Sequence, residues 1–323
     1  MNPTRYIDQA VCIAAALLSH NISQADTYLV DNNDDLIGVV QTVQARYEDT
    51  LLDIARANGL GVTDIKLANP DVDTWLPGQG REIILPTRFL LPRTPRDGIV
   101  LNIPEMRLYY FPPADYDQPS PVITHPLGIG RQGWGTPYVT TEVVQKSQRP
   151  YWYPPESIRK EHEEMGDPLP EQVPPGSDNP LGDYAIRLGL TSYLIHGTNK
   201  PYGIGMRVSH GCIRLYPEDI EALYGMVELD TPVYIVNQPF KLGVQDGQIY
   251  LEAHPWLEED AAEFQGDLTS VVKMLIAVSK ERRYELDWSL ARQVIDDANG
   301  LPVAVGRLLE TVEQTSPAGD AGE

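Results

Sequence analysis

The stretch His196–Leu215 reads HGTNKPYGIGMRVSHGCIRL and concentrates reactive side chains in a short length of chain. It contains two of the six histidines, two arginines and Cys212. A cysteine attacks carbonyl carbons as its thiolate, so it needs a neighbouring base or positive charge to activate it. His196 and His210 are candidate bases, and the two arginines are candidate positive neighbours. These residue types predict a site for nucleophilic catalysis by a cysteine.

The sequence on either side of Cys212 indicates how its backbone is arranged. The apolar run Tyr193-Leu194-Ile195 predicts a strand that ends at the first histidine of the stretch. Gly211 permits a tight turn, in which successive N–H groups can face the point where an oxyanion forms. We therefore expect the nucleophile to lie on a turn at the end of a strand.

A zinc site is the competing interpretation of the same residues. His196, His210 and Cys212 could supply three ligands. However, the spacing of His210-Gly211-Cys212 is too tight for the usual zinc motifs, and the sequence offers no obvious fourth ligand. We therefore expect neither a metal nor another cofactor.

Two blocks, HGTN at 196–199 and VSHGCIRL at 208–215, resemble the signature of the L,D-transpeptidase (YkuD-type) catalytic domain. His196 precedes Cys212 by 16 positions, which is within the range of that family. The resemblance extends over roughly 97–236 and implies a mostly β domain with one or two helices. It also implies that the long Pro- and Gly-rich segment 150–182 is a lid or binding loop. Further matching pieces are Thr136-Pro137, Trp152 with Pro154-Pro155, Asn179-Pro180-Leu181-Gly182 and Thr231-Pro232-Val233.

The resemblance implies a role for the central residues of the signature. Cys212 would be the nucleophile, and His196 would accept and donate protons, with its ring oriented by a backbone carbonyl near Gly197. The backbone amides of Gly211 and Cys212 would form an oxyanion hole. Arg214 would hold a substrate carboxylate by charge and paired donors, with a structural ion pair as the alternative.

Other residues of the signature receive supporting roles. His210 would support the pocket, either as a structural hydrogen-bonding group or in direct catalysis. Ser209 is interpreted as a local hydrogen-bonding residue, because cysteine is the better nucleophile here. Further candidates for substrate binding are Gly197, Thr198, Asn199, Tyr202 and Trp152.

The resemblance also implies a two-step acyl transfer on peptidoglycan. The cysteine would attack a tetrapeptide stem, release its terminal D-Ala and keep the remainder as a thioester. The acceptor could be the side-chain amine of a second stem (a 3→3 cross-link), a lysine of an outer-membrane lipoprotein, or water. The arrangement of the chain, with a LysM-like unit before the catalytic domain and an extension after it, favours the lipoprotein lysine as the acceptor.

Two other functions compete with this one. A sortase-like transpeptidase also places a histidine before a cysteine, but Ser-His-Gly-Cys is not its motif. A peptidoglycan-binding protein without catalysis is the second alternative, and the intact pair His196 and Cys212 argues against it.

Residues 37–86 predict a small α+β unit ahead of the catalytic domain. Their hydrophobic pattern indicates strand, helix, helix and strand in that order. The segments YEDTL at 47–51, IKLANP at 65–70 and LPGQ at 76–79 resemble a LysM module. LysM modules bind N-acetylglucosamine glycans, including peptidoglycan; a structural module without glycan affinity is the alternative.

Residues 1–25 predict a secretory signal peptide. Arg5 supplies positive charge, residues 10–18 form a short apolar run, and Ser23-Gln24-Ala25 offers a cleavage site. The apolar run is too short for a permanent membrane span. Cleavage near Ala25 would remove Cys12, leave Cys212 as the one thiol and deliver the protein to the periplasm.

The chain is strongly acidic, with 46 Asp and Glu against 25 Lys and Arg and a formal net charge of −21. A field of this sign repels nucleic acid and anionic lipid, so neither is expected as a partner. Residues 237–323 predict a C-terminal extension with a hairpin at the Asp-Gly turn of 245–248. Helices are predicted at 268–279 and 289–298, and a disordered tail from Ser316.

Overall fold

The computed structural model describes residues 26–31, 34–113, 119–261, 269–281 and 284–309. The predicted signal peptide and the predicted disordered tail lie outside these residues. Strands dominate the described chain, and this confirms the mostly β prediction. No helix among the described residues is long and apolar enough to cross a membrane.

The strands are β1 (Asp26–Val30), β2 (Leu36–Gly38), β3 (Gln41–Gln44), β4 (Glu82–Leu85), β5 (Arg88–Leu90), β6 (Gly98–Asn102), β7 (Arg107–Phe111), β8 (Ser120–Pro126), β9 (Ile129–Gly130), β10 (Val139–Gln148), β11 (Tyr184–Leu188), β12 (Leu194–His196), β13 (Arg207–Ser209), β14 (Ile213–Arg214), β15 (Pro232–Val236), β16 (Phe240–Gln245), β17 (Gln248–Ala253), β18 (Tyr284–Leu286) and β19 (Val303–Leu308). The α-helices are α1 (Leu51–Ala57), α2 (Val62–Ala68), α3 (Glu156–Glu164), α4 (Pro217–Met226), α5 (Thr269–Glu281) and α6 (Trp288–Asp297). Short 3-10 helices lie at Pro201–Gly203 and Glu258–Asp260.

A nine-stranded sheet forms the centre of the molecule, in the order β1-β8-β7-β6-β15-β10-β11-β12-β14. Its strand β6 is buried along its whole length. Successive side chains of a strand point to opposite faces, so Ile99 and Leu101 join one hydrophobic core while Val100 joins the other. The continuous apolar run of β6 thus follows from its burial on both faces.

The predicted strand, helix, helix, strand order of the N-terminal unit is present as β3, α1, α2 and β4, with β3 and β4 paired antiparallel. Helix α1 begins at a capping box, in which Thr50 Oγ1 accepts from the N–H of Asp53 at 3.2 Å. The unit packs on the catalytic sheet through a close backbone approach. A Cβ at Gly61 would lie 2.7 Å from the Cα of Gly205, so only glycine fits there.

The C-terminal unit is a four-stranded sheet, β16-β17-β19-β18, packed with α5 and α6 around a third hydrophobic core. The hairpin β16–β17 turns at Asp246-Gly247, where the sequence predicts it. Helices α5 and α6 occupy the two predicted positions with bounds shifted by one or two residues. The strands β18 and β19 are an addition that the sequence analysis does not anticipate.

A buried ionic cluster links this C-terminal unit to the rest of the molecule. Lys241 Nζ lies 2.8 Å from Glu105 Oε1, 2.7 Å from Glu252 Oε1 and 2.7 Å from the carbonyl oxygen of Leu90. Tyr109 donates to the carboxylate of Glu105. The cluster joins β16 and β17 to the catalytic sheet and to β5, so one lysine satisfies groups from three parts of the chain.

Candidate active site

The edge of the nine-stranded sheet sets the positions of the candidate catalytic residues. Strand β12 pairs in parallel with β14, so that Ile195 lies beside Ile213 and His196 beside Arg214. Both isoleucines enter the hydrophobic core. Side chains alternate along a strand, so His196 and Arg214 share the opposite face. Cys212 precedes Ile213 by one residue, so its side chain lies on the same face as those of His196 and Arg214.

A cavity of about 510 Å³ opens on that face. Its walls come from the strand edge, the Ser209–Cys212 turn and the segment 150–182. Six of the sequence-predicted site residues line it: Cys212, His196, His210, Ser209, Arg214 and Trp152. The structure therefore gathers the two candidate histidines, the thiol and Arg214, one of the two candidate arginines, in a single pocket.

His196 is buried and held in a defined orientation. Its Nδ1 lies 2.6 Å from the carbonyl oxygen of Gly197. A carbonyl only accepts, so Nδ1 carries the proton and Nε2 keeps a lone pair. Burial, reinforced by the charge of Arg214, lowers the pKa of His196 from 6.5 to about 3. The ring is consequently a neutral base at physiological pH.

Cys212 is half-buried at the floor of the pocket, and its Sγ lies 3.5 Å from the carbonyl oxygen of Ser192. Burial raises the pKa of the Cys212 thiol, although the backbone of Leu194 and the charges of Arg214 and Arg187 act in the opposite direction. The resting pair is therefore a thiol and a neutral imidazole.

The turn that carries Cys212 is fixed by Ser209. The Oγ of Ser209 donates to the carbonyl oxygen of Cys212 at 2.6 Å and accepts from the N–H of Gly211 at 3.2 Å. Ser209 is thus a local hydrogen-bonding residue. Without substrate, the N–H of Gly211 thus donates to Ser209, and its expected use in an oxyanion hole stays a prediction. Gly211 adopts φ +100°, a conformation that favours glycine, and so allows the turn.

His210 faces the lid rather than the thiol. The segment 150–182, expected to be a lid or binding loop, contains helix α3, and Glu161 of α3 lies 3.0 Å from His210 Nε2. Arg131 contacts the same carboxylate at 2.6 Å, and Trp134 packs edge-on against the imidazole. Burial lowers the pKa of His210, and Glu161 opposes this shift. These contacts favour a supporting role, in which His210 anchors α3 over the pocket.

Four predicted substrate-binding residues lie outside the Cys212 cavity. Gly197, Thr198 and Asn199 line a neighbouring cavity of about 450 Å³. The hydroxyl of Thr198 accepts from the N–H of Lys200, and Asn199 donates to the carbonyl of Ser177. Both side chains therefore shape the chain after β12. Tyr202 is 55% exposed on the Pro201–Gly203 turn and is absent from the residues that line the Cys212 cavity.

Several further residues, which the sequence did not single out, line or flank the pocket. The pocket is also lined by Arg187, Tyr193 and Trp134. Glu161 and Arg131 contact each other and His210 beside it. Arg187 could have been recognised from the sequence, because it is the charged residue in an otherwise apolar strand, two positions before a turn. Glu161 could not have been recognised in this way, since its partner His210 is 49 positions away in the sequence.

One group of potential metal ligands exists among the described residues, and it is remote from the cysteine pocket. Glu105, Glu252 and His254 bring their ligand atoms together. The ammonium group of Lys241 lies within 2.8 Å of both carboxylates. The lysine therefore occupies the position in which a cation would sit, and these side chains do not fit a metal site.

Comparison with known proteins identifies the family of this chain. The family model described as the L,D-transpeptidase catalytic domain matches residues 96–235. The probable L,D-transpeptidase ErfK/SrfK of Escherichia coli (strain K12) is 39% identical over 306 residues, covering 91% of this chain and 96% of that protein. The probable L,D-transpeptidase YbiS of the same strain is 36% identical over 297 residues, covering 90% and 93%. The solved catalytic domain of the Enterococcus faecium L,D-transpeptidase is 21% identical, covers 45% of this chain and 100% of that chain, and has a TM-score of 0.33. With more than a third of its residues shared over nearly the whole length of two such relatives, this chain belongs to the L,D-transpeptidase family.

Proposed function

We propose that this protein is a peptidoglycan L,D-transpeptidase in which Cys212 is the acyl-accepting nucleophile and His196 its general base. The observation that carries the proposal is the shared pocket of the two side chains, with His196 Nδ1 committed to a carbonyl oxygen. That contact assigns the ring proton to Nδ1, so the lone pair that can take the thiol proton is on Nε2. A neutral base beside a protonated thiol suits proton transfer during the attack rather than before it.

In the first step, the sulfur of Cys212 attacks the carbonyl carbon at the L-centre of the diamino acid in a tetrapeptide stem. His196 removes the thiol proton as the S–C bond forms. The oxyanion is stabilised by backbone N–H groups, and the amide of Cys212 is the candidate that remains once Gly211 is assigned to Ser209. The C–N bond then breaks, His196 protonates the leaving nitrogen, and D-Ala departs.

In the second step, an amine attacks the thioester carbonyl. His196 takes a proton from this amine and returns it to the sulfur as the S–C bond breaks. The reaction needs no external energy source, because the amide that is broken is replaced by the amide that forms. A lysine of a lipoprotein, a second stem and water are the candidate acceptors, of which we favour the lipoprotein.

We further propose that the LysM-like unit binds glycan strands. Three of its exposed apolar side chains, Tyr47, Trp75 and Leu76, are 83%, 64% and 78% exposed. The loops that carry them are adjacent, because the N–H of Leu51 donates to the carbonyl oxygen of Thr74. Exposed aromatic rings are amphipathic surfaces that suit sugar faces. Export through a signal peptide at residues 1–25, and hence a periplasmic location, is part of the same proposal.

The test is mass spectrometry of muropeptides after incubation of peptidoglycan with the purified protein, with Cys212→Ala as the matched control. Cross-linked dimers, tripeptide stems or stems linked to a lipoprotein lysine would each identify a different acceptor. Each product should disappear with Cys212→Ala. An unchanged muropeptide profile with the intact enzyme would favour the alternative of a binding protein without catalysis.

A further inference from the structure

The charge of the Cys212 cavity is opposite to that of the whole protein. The chain carries a formal net charge of −21, yet the described residues that line the cavity include two arginines and no aspartate or glutamate. These are Arg187 and Arg214. Within the described ranges, neither arginine forms an ion pair. A cleft lined by charge of one sign concentrates ligands of the other sign.

The strand register fixes where the two arginines lie relative to the reacting groups. Arg187 of β11 is the antiparallel partner of Leu194, and Ala185 is the partner of His196. On the other side of β12, His196 lies beside Arg214 and the backbone of Leu194 contacts the Cys212 thiol. All these side chains share the pocket face, because they are spaced by two along their strands.

The arginines therefore occupy opposite corners of a small grid. Two strand spacings and two residues along the strand separate their Cα atoms by roughly 12 Å. His196 lies on the middle strand beside Arg214, and Cys212 lies at a third corner of the grid, on the strand of Arg214 and level with Arg187. Arg214 adjoins His196, the group that protonates the leaving nitrogen, and so lies on the side of the departing D-Ala carboxylate. Arg187 lies on the far strand of the grid, two strands away from both Arg214 and Cys212, which leaves room for a second carboxylate of the substrate. Because D-Ala has one carboxylate, a second one belongs to the retained part of the stem.

We infer that Arg187 forms a second anion subsite, which binds a carboxylate on the part of the stem peptide that stays attached to Cys212. This inference rests on the proposed function and extends it to substrate choice. The pocket selects donors that carry a free carboxylate on the retained acyl portion and discriminates against donors in which that group is a carboxamide. An exposed guanidinium in a cleft binds a carboxylate with two parallel hydrogen bonds, which an amide cannot match.

The test compares three synthetic donors: a stem tetrapeptide with all carboxylates free, and two analogues amidated at one retained carboxylate each, at the second residue or at the far end of the diamino acid. Release of D-Ala gives kcat/KM for each donor. Arg187→Gln should lower kcat/KM for the free acid by about 10- to 100-fold. The donor amidated at the carboxylate that Arg187 binds should have a lower kcat/KM than the free acid with the unaltered enzyme. Its kcat/KM should fall little further with Arg187→Gln. Arg187→Lys should restore part of the rate for the free acid alone.

Arg292→Gln is the matched control, since it removes an exposed arginine of α6 whose ion pair with Asp296 is remote from the pocket. It should leave all three rates unchanged. Equal losses with Arg187→Gln for all three donors would overturn the subsite. The subsite would also be overturned if Arg187→Gln shifted the pH profile of Cys212 alkylation far enough to explain the whole loss of kcat/KM.

Binding to Cys212→Ala protein separates this inference from the proposed reaction. Calorimetry with the same three donors measures the subsite without turnover. A Kd that rises about tenfold or more on amidation, and only when Arg187 is present, supports the subsite even if no transfer occurs. Equal Kd values for free and amidated donors would refute it even if Cys212 proves to be the nucleophile.

Discussion

Replacing Lys241 by methionine tests the energetics of the buried cluster that joins the C-terminal unit to the catalytic sheet. The ammonium group contacts Glu105 and Glu252, and all three side chains are at most 2% exposed. Methionine has a similar length and no charge, so the variant leaves two carboxylates without their main counter-charge. Breaking a buried ion pair in this way costs about 3–5 kcal/mol. Domains of this kind have about 5–15 kcal/mol of stability in total, so the loss is large.

The same cluster predicts how stability depends on pH. Burial alone would raise the pKa of Glu105, but Lys241 and then His254 outweigh it and lower the pKa from 4.5 to about 2. A carboxyl group whose pKa is depressed on folding stabilises the protein above its unfolded pKa. This contribution, about 3 kcal/mol, is lost as the pH falls from about 4.5 towards 2. In Lys241→Met this acid-linked loss should disappear, because protonation of an uncompensated Glu105 removes a buried charge, so the stability difference from the unaltered protein should shrink as the pH falls.

Urea unfolding followed by circular dichroism at pH 7 measures the effect. Arg307→Met is the control, because it also removes one cation from an ion pair, with Glu285, but at 69% and 59% exposure. The control should lose less than about 1 kcal/mol. Glu105→Gln added to Lys241→Met should recover part of the loss by removing the uncompensated charge. A loss below about 1 kcal/mol for Lys241→Met alone would refute the reasoning.

Three further predictions concern the site. Because the pKa of His196 is about 3, protonation of His196 should not slow acylation between pH 7 and pH 4. An acylation rate that falls tenfold for each unit of decreasing pH, beginning near pH 6.5, would contradict the neutral-base assignment. Gly211→Ala forces a side chain into φ +100°, which costs about 1–3 kcal/mol, and should lower kcat/KM by on the order of 100-fold in steady-state assays while circular dichroism shows an intact fold. Glu161→Gln removes the charge that contacts Arg131 and His210, so hydrogen exchange in α3 should accelerate relative to Glu164→Gln; equal exchange in both variants would show that the contacts do not hold the helix.

Local sequence signals predicted the elements that depend on local rules. The apolar run before His196 became strand β12, next to the edge strand β14, and the Asp246-Gly247 turn became the β16–β17 hairpin. The helix, helix order of the N-terminal unit followed from caps and apolar spacing. Each of these depends on residues within about ten positions of one another, where periodicity and turn chemistry are informative.

The features of the site and fold that the sequence did not predict depend on contacts between residues far apart in the chain. Glu161 and Arg131 reach His210 from two other segments, and Lys241 meets Glu105 across 136 positions. The placement of Asn199 and Tyr202 away from the pocket is set by the direction in which the chain leaves β12, which no periodicity encodes. The use of the Gly211 amide by Ser209 is likewise a matter of turn geometry.

The most direct test of the account is intact-mass analysis of the enzyme, quenched in acid during turnover of a stem tetrapeptide and followed by peptide mapping. The account predicts an adduct with the mass of the donor minus D-Ala, on the peptide that contains Cys212, and its absence from Cys212→Ala. An adduct on another residue, or D-Ala release by Cys212→Ala at the rate of the intact enzyme, would contradict it.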